Sequence, residues 1–458
     1  MRKRSVQPGR NPALRYVADL WSLSVRNQSL EFYQLLFTTA VLTVFGLLMV
    51  LSASVVNNLS NHETWYSDFA SQVLAFFLGF GALLVISLAP VAFFERTAMR
   101  VGGILIALQY VTAAVGRDVN GNKAWLGIGQ FSFQPSEWGK ILLILMVAKV
   151  IADGVQFSRF SSEVNAFVPE LTPMIYAGLM VIGVIIQKDV GTALIMMIIT
   201  LSMLWVAGLE RWHLLGWLVL FALPGALVMS LSSTRWPRIL AWINPASDVM
   251  GIYTYQTQHG YWALAAGGLF GVGPGQSMLK WTWIPEVQND FIFSVIVEEY
   301  GFLGGAAVLA AFFFLGTVLF RIFHRTQQLW RRLVVAGVFG WIVLQALVNI
   351  AVVIGALPVL GVPLPFISHG GTSMVFLLAG VGVVLAIERE NTHGPSSWGW
   401  VPGRLRSRMQ NPAKPRQRTA SKPGGQRASG PTRRGAVAQP TVRTTTLGRR
   451  PVGGARRP

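Results

Sequence analysis

The feature that most limits how this chain can fold is the recurrence of long, uninterrupted apolar runs separated by short polar stretches. A helix of about 20 apolar residues crosses a bilayer, so a chain that repeats such runs is built for lipid. Strands of a membrane barrel alternate in polarity, and these runs do not. Charged residues make up 12% of the chain and hydrophobic ones 52%, against about 25% charged in soluble domains. The reading is an all-α polytopic membrane protein with ten transmembrane helices, at 33–56, 70–92, 97–115, 137–152, 172–187, 191–208, 212–231, 291–320, 331–355 and 366–387. The fourth and fifth of these are the shortest. The first is too long for a cleavable signal and has no small-residue cleavage site after it.

Lys and Arg in short loops set the orientation. With the N-terminus cytoplasmic, the inner loops carry Arg96, Arg100, Arg159, Arg211, Arg321, Arg325, Arg331 and Arg332, whereas the outer loops 57–69 and 356–365 carry none. Ten spans return the C-terminus to the same side. The formal charge of +19 is terminal: residues 1–30 carry net +5, residues 403–458 carry +15, and the remainder −1. Beside a membrane, such basic segments fit anionic lipid on the cytoplasmic side better than nucleic acid. The tail from Gly403 is rich in Pro, Gly, Arg, Ser and Thr and is expected to be disordered. The division expected is a basic segment 1–30, a transmembrane domain 31–390 and a basic tail 391–458. With no cysteine, no disulfide framework is available.

Two outer segments break the rule by carrying charge. Gly116–Pro135 holds Arg117, Asp118 and Lys123. The long extracellular loop between the seventh and eighth helices holds Arg235, Arg238, Asp248, Lys280, Glu286 and Asp290. The stretch Trp281–Gly301 then enters an apolar run with Glu298 and Glu299 about 12 Å deeper, if it is helical from Asp290. Acids at membrane depth are costly and mark candidate sites. Asp290 reads either as a helix N-cap or as a general base. Glu298 and Glu299 point to different helix faces, so at most one shares a cavity with Asp290; a structural pair is the other reading. The Gly-rich run Gly267–Gly275 reads as a tight turn or re-entrant segment, or as a phosphate cradle flanked by Arg235, Arg238 and Lys280. Gln134-Pro135-Ser136-Glu137 reads as a helix start, with Ser136 as cap and Lys140 one turn on to pair with Glu137. Lys188-Asp189 reads as a turn with a local ion pair. Pro363–Gly371 reads as a break around the start of the last span, with His369 either titrating or hydrogen-bonded. No metal-ligand spacing or Ser/His/Asp order appears.

Taken together these motifs resemble the SEDS family (shape, elongation, division, sporulation), nearer its FtsW division branch than RodA. The resemblance covers residues 33–390. It rests on Leu51–Ser54, Gln134–Glu137 with Lys140, Asp189–Thr192, Trp242–Pro245, Tyr255-Gln256, Gly267–Gly275, Pro285-Glu286, Asp290–Phe293, Glu298–Gly301, Gln345 with Asn349, and Leu357–Ser373. It implies a peptidoglycan glycosyltransferase that polymerises lipid II on the outer face of the bacterial plasma membrane, at the division septum. It also implies an obligate class B penicillin-binding protein, the transpeptidase, as partner, beside other divisome proteins. In the family the carboxylate of the Asp-Phe-Ile-Phe motif is essential, and here that is Asp290. Lys123, Trp125, Arg235, Arg238, Lys280, Glu286 and Ser368 are then expected to bind substrate, and Gln134, Glu137, Lys140, Asp189, Glu298 and Glu299 to shape the cavity. Three positions depart from the pattern: Lys188 stands in place of Pro, Ala124 in place of a basic residue, and His369 in place of Tyr. A divalent cation could assist with diphosphate charge, but the sequence specifies no site. The rivals are a lipid II flippase and a non-catalytic divisome scaffold.

Overall fold

The computed structural model describes residues 28–394 apart from 61, 63, 120–121, 129–130, 161–167, 231–234, 249–250, 252–253 and 279–286. Lys280, Glu286 and both basic termini lie outside the described residues.

The long helices are α1 (Leu30–Ser60), α2 (Ser67–Leu88), α3 (Val91–Val115), α4 (Pro135–Phe160), α5 (Val168–Ile186), α6 (Val190–Ala207) and α7 (Arg211–Ser230). Two short helices follow, α8 (Trp236–Ile243) and α9 (Tyr255–Ala266). Then come α10 (Ile292–Arg325), α11 (Leu329–Phe339), which runs through a π turn at Gly340–Leu344 into α12 (Gln345–Val353), and α13 (Gly371–His393). The fold is polytopic and helical, as the apolar runs require. Among the described residues, eight helices are long and apolar enough to cross a membrane. The two remaining expected spans are the shortest ones. The apolar part of α5 is only Thr172–Ile186, and α4 carries Glu137, Lys140, Lys149 and Asp153 on a helix longer than its apolar stretch.

Three points add to or correct the expectations. First, the charged outer segment after α3 has regular structure. It forms an antiparallel meander, β1 (Arg117–Val119), β2 (Asn122–Ile128) and β3 (Phe131–Phe133), in the order β1-β2-β3. Trp125 pairs across to Arg117, and the Lys123 amide donates to Gln187 O at 3.0 Å. That bond ties β2 to the turn before α6.

Second, the last helix begins at Gly371, not 366. Phe366 has φ +66°, and the Ser368 hydroxyl accepts from the Leu364 amide at 2.7 Å, which closes residues 364–368 into a turn. Third, the apolar run after Asp290 is broken. Gly301 has φ +71° and ψ −172° inside α10, so 292–300 is a short helix and 302–325 the spanning one. A side chain rarely adopts that φ, and a Cβ there would overlap the Leu269 carbonyl. The Gly-rich segment fills the break: Val272 and Gly273 amides donate to Glu298 O and Glu299 O at 2.9 and 3.1 Å, and Phe302 N donates to Gly268 O at 2.8 Å. This fits the reading as a tight turn or re-entrant segment, with amides spent on carbonyls of the broken helix.

The core is apolar and continuous, with Trp330 and Trp341 among its largest buried side chains. Helices α2 and α13 meet closely because glycines face the partner: a Cβ on Gly79 would lie 3.0 Å from Val375 Cα, and one on Gly382 would lie 2.9 Å from Leu83 O.

Candidate active site

Asp290 sits half-buried in the turn 287–290 that leads into α10. It is not the helix cap. Phe291 occupies that position, without a side-chain capping bond. The site is held by two amides one turn apart on α12. Asn349 Nδ2 donates to Asp290 O at 2.9 Å and to Val362 O at 2.7 Å, while Gln345 Nε2 donates to Pro363 O at 2.8 Å. These bonds clamp the loop before α10 to the loop before α13. The Asp290 carboxylate then faces Gly361, where a Cβ would stand 3.7 Å from Oδ2.

The other side of that loop meets the start of α6. A Cβ on Gly191 would be 3.2 Å from Gly361 O and would overlap Leu360 O. Asp189 caps this helix, accepting from the Thr192 amide at 3.1 Å, and accepts from Gln134 Nε2 at 2.7 Å. The Asp189 partner is therefore Gln134 rather than its neighbour Lys188, which is exposed at φ +62°. Burial pushes the Asp189 carboxyl above the ordinary value, opposed by the Thr192 bonds; Glu137 adds to the rise and Lys140 opposes it. Glu137 and Lys140 form an ion pair at 2.8 Å with side chains 7% and 2% exposed, and Lys140 Nζ lies 5.3 Å from the Trp341 ring. Ser136, expected as a cap, lies inside the first turn of α4, because the helix already starts at Pro135.

Arg235 bonds to Asn122 of β2. Its guanidinium is held below the ordinary value by burial, opposed by the field of Asp189, with repulsion from Arg238 lowering it further. Asp189, Gln134, Glu137, Lys140 and Arg235 thus form one cluster, with Arg238 beside Arg235, and Asp290 lies across the Leu360–Gly361 backbone from the helix that Asp189 caps. Lys123 is exposed and Trp125 half-buried on β2. Ser368 uses its hydroxyl within the 364–368 turn, and its carbonyl accepts from Gln72 Nε2 at 3.3 Å. His369 lies 3.3 Å from Ser71 Oγ and 4.0 Å from Asp68, and its amide donates to Gln288 O at 2.9 Å. Glu298 and Glu299 are elsewhere. Glu298 accepts from Ser277 and from the Met278 amide at 2.8 Å, and Glu299 from Ser52 of α1 at 2.6 Å. Among the described residues no three His, Asp or Glu side chains converge as metal ligands.

The residues at the site to which the sequence reading gave no role are neutral: Asn349 and Gln345, quoted there only for the resemblance, and Asn122 and Gly361. The signal for the first two was an amide pair at i, i+4 in an otherwise apolar helix.

Most of the chain matches known proteins in sequence and in fold. A family model described as "Cell cycle protein", that of FtsW, RodA and SpoVE, matches residues 33–393. The chain belongs to this family. Stage V sporulation protein E of Bacillus subtilis is 34% identical over 361 residues, covering 78% of this chain and 96% of that protein. The probable peptidoglycan glycosyltransferase FtsW of Mycobacterium tuberculosis is 33% identical over 357 residues, covering 77% and 67%. Among solved structures, a chain of a peptidoglycan synthase complex that coordinates polymerization and crosslinking matches with a TM-score of 0.65 and 26% identity, covering 80% of this chain and 99% of that one. As a member of the FtsW, RodA and SpoVE family, the chain is a multi-pass membrane protein. Its match spans the whole helical body and both acidic motifs around Asp189 and Asp290.

Proposed function

We propose that this protein is a peptidoglycan glycosyltransferase that polymerises lipid II into glycan strands at the outer face of the plasma membrane, in septal wall synthesis. The observation that carries the reading is Asp290, half-buried, its backbone held by Asn349, facing a loop whose other side meets the helix capped by Asp189, in whose field Arg235 lies. The names of the relatives agree with it. Asp290 acts as general base. It accepts the proton of the acceptor sugar 4-hydroxyl as that oxygen attacks C1 of the lipid-linked donor. The C1–O bond to the diphosphate breaks as the new glycosidic bond forms, and a single displacement inverts the anomeric centre. Arg235 and Arg238 stabilise charge on the departing diphosphate, Arg being suited to forked contacts with phosphate oxygens. Lys123, Trp125, Lys280 and Glu286 contribute to the substrate surface of the same outer segments.

Residues 31–390 form the catalytic domain. Both termini are cytoplasmic, and the basic tails contact anionic lipid. The partner is a class B penicillin-binding protein, which crosslinks the strands made here. The test is lipid II polymerisation by the purified protein with that partner. Asp290→Asn is nearly isosteric, and it should cut turnover by roughly 10²–10⁴-fold, as loss of a general base does, while complex formation and melting temperature hold. Wild-type turnover in Asp290→Asn would remove the assignment. Lipid II translocation without polymer, by the wild type, would move it to a flippase.

A further inference from the structure

Two short helices of the outer segment face each other across a cavity of about 230 Å³, of whose lining the mechanism above uses Arg238 alone. One wall is a stripe of α8 and its end: Arg238, Ala241, Trp242 and Pro245, spaced i, i+3, i+4, i+7. The other is a stripe of α9 and its cap with the same spacing: Thr254, Thr257, Gln258 and Tyr261. This spacing puts each set on one helix face. Leu357 and Val359 close the cavity. Helices that only pack together would present apolar stripes here. These present two aromatic rings, an amide, hydroxyls and a guanidinium. By contrast, the larger cavity of about 470 Å³ beside α6, α10 and α11 is lined almost wholly by apolar side chains and has no comparable set of orienting groups.

The aromatic walls are placed by one backbone unit. Trp242 Nε1 donates to Gly355 O at 2.9 Å. Gly355 has φ +81°, and a Cβ on it would overlap the Tyr261 hydroxyl. Position 355 therefore needs glycine for both its conformation and its neighbour. The cavity also adjoins the carboxylate. Val359 lines it, and Gly361, two residues on and so at most about 7.6 Å away between Cα atoms, is the residue that faces Asp290 Oδ2.

We propose that this cavity is a saccharide subsite that holds one N-acylated pyranose of the glycan, next to the sugar reacting at Asp290. The inference rests on the glycosyltransferase reading and deepens it. A pyranose has apolar C–H faces and a rim of hydroxyls. Trp242 and Tyr261 supply broad apolar faces, with their polar tips already directed at the Gly355 unit. Thr257 and Gln258 offer donors and acceptors to the ring hydroxyls and N-acyl amide. Arg238 sits at the edge, where an acidic substituent of the sugar or the diphosphate would fall. The volume suits one ring rather than a drug-sized ligand, for which pockets start at about 300 Å³.

The test uses the full protein with its transpeptidase partner and the variants Thr257→Val and Gln258→Ala, singly and combined. Thr257 is half-buried and Gln258 exposed, and both face the cavity rather than the core, so melting temperature should stay close to that of the wild type. Loss of one neutral hydrogen bond that is equal in ground and transition state should raise KM for lipid II roughly five-fold, with kcat within about two-fold. Saturation-transfer NMR with the soluble N-acetylglucosaminyl–N-acetylmuramic acid disaccharide gives a readout free of turnover. The disaccharide should take up saturation from the wild type and from Asp290→Asn, and lose it with the combined variant. Inorganic diphosphate serves as the second probe, and its inhibition should be the same for the wild type and the combined variant. Unchanged KM and unchanged disaccharide saturation in the combined variant, with an active wild type, overturn the subsite while leaving Asp290 in place. A diphosphate effect that follows Thr257 and Gln258 would assign the cavity to the leaving group instead. An active Asp290→Asn would overturn the catalytic reading, and the disaccharide readout would still decide the cavity.

Discussion

A carboxyl group buried as Asp189 is costs free energy to ionise, and its raised pKa has a definite consequence for pH. The folded state holds the Asp189 proton to higher pH than the unfolded chain does. Between the unfolded value near 3.8 and the raised folded value, folding therefore takes up a proton, and stability falls as pH rises through that window. Above the folded value the penalty is full. Asp189→Asn keeps an oxygen for the Thr192 amide and removes the ionisation. It should flatten the dependence of melting temperature on pH above pH 4, and at neutral pH it should be at least as stable as the wild type. Polymerisation should fall, because Arg235 loses the charge that steadies it. A melting profile with the same pH slope as the wild type would contradict this origin of the shift. These acids were legible in the sequence because a charge in an apolar context stands out at once. The residue that fixes the Asp290 backbone, Asn349, was quoted for the resemblance but given no part in the site. Asn349 is neutral, and its part depends on two carbonyls from loops distant in sequence.

At the scale of elements, hydropathy located the helices and was blind to the break inside one of them. The run after Asp290 stays helix-like in its apolar content on both sides of Gly301, and Glu298 and Glu299 just before it mark the place without announcing a change of backbone. The break depends on one backbone conformation and on the segment Gly267–Gly275, which completes its hydrogen bonds from outside the helix. Glu298 fastens that segment by accepting from Ser277 and the Met278 amide. Glu298→Ala leaves these donors unmet, at about 1–3 kcal/mol for each buried group. Hydrogen exchange should then rise over residues 267–278 while α13 stays protected. Glu298→Gln keeps an acceptor and should retain most of the protection. Gly301→Ala should be worse than either, since a Cβ there meets the Leu269 backbone, which cannot give way. Exchange confined to the wild-type pattern in Glu298→Ala would show that the segment is held by its backbone bonds alone.

For the molecule as a whole, two of the basic residues assigned to inner loops, Arg325 and Arg331, meet acids from distant helix ends. The start of α1, the α2–α3 turn, the end of α10, the start of α11 and the end of α13 meet in one charged cluster. Arg325 pairs with Glu31, and with Glu388 at 3.3 Å, while Ser29 donates to Glu388 at 2.6 Å. Arg331 pairs with Glu390 at 2.8 Å, Glu390 accepts from the Val91 amide at 2.9 Å, and Arg389 donates to Ala89 O at 2.9 Å. The sequence showed the basic partners and not the buried acids, because loop counting weighs Lys and Arg and ignores a Glu drawn in at a helix end. Asp290 and Asp189 lie at the opposite end, so this cluster serves architecture rather than chemistry. It joins helices far apart in the chain. Glu390 is 2% exposed in its side chain and Arg331 15%, so the pair is buried enough for its rupture to matter. Glu390→Ala strands Arg331 and the Val91 amide together and should cost about 3 kcal/mol, the low end for breaking a buried pair. Glu390→Gln still accepts from Val91 and should cost clearly less. Adding Arg331→Met to Glu390→Gln removes the stranded cation and should recover stability towards the wild type, since neutral replacement of a buried pair is often harmless. Unfolding in mixed micelles measures all four corners of the cycle. A double variant no better than the sum of its parts would mean that Arg331 finds another acceptor at this end, and that the cluster shares its charge instead of pairing it.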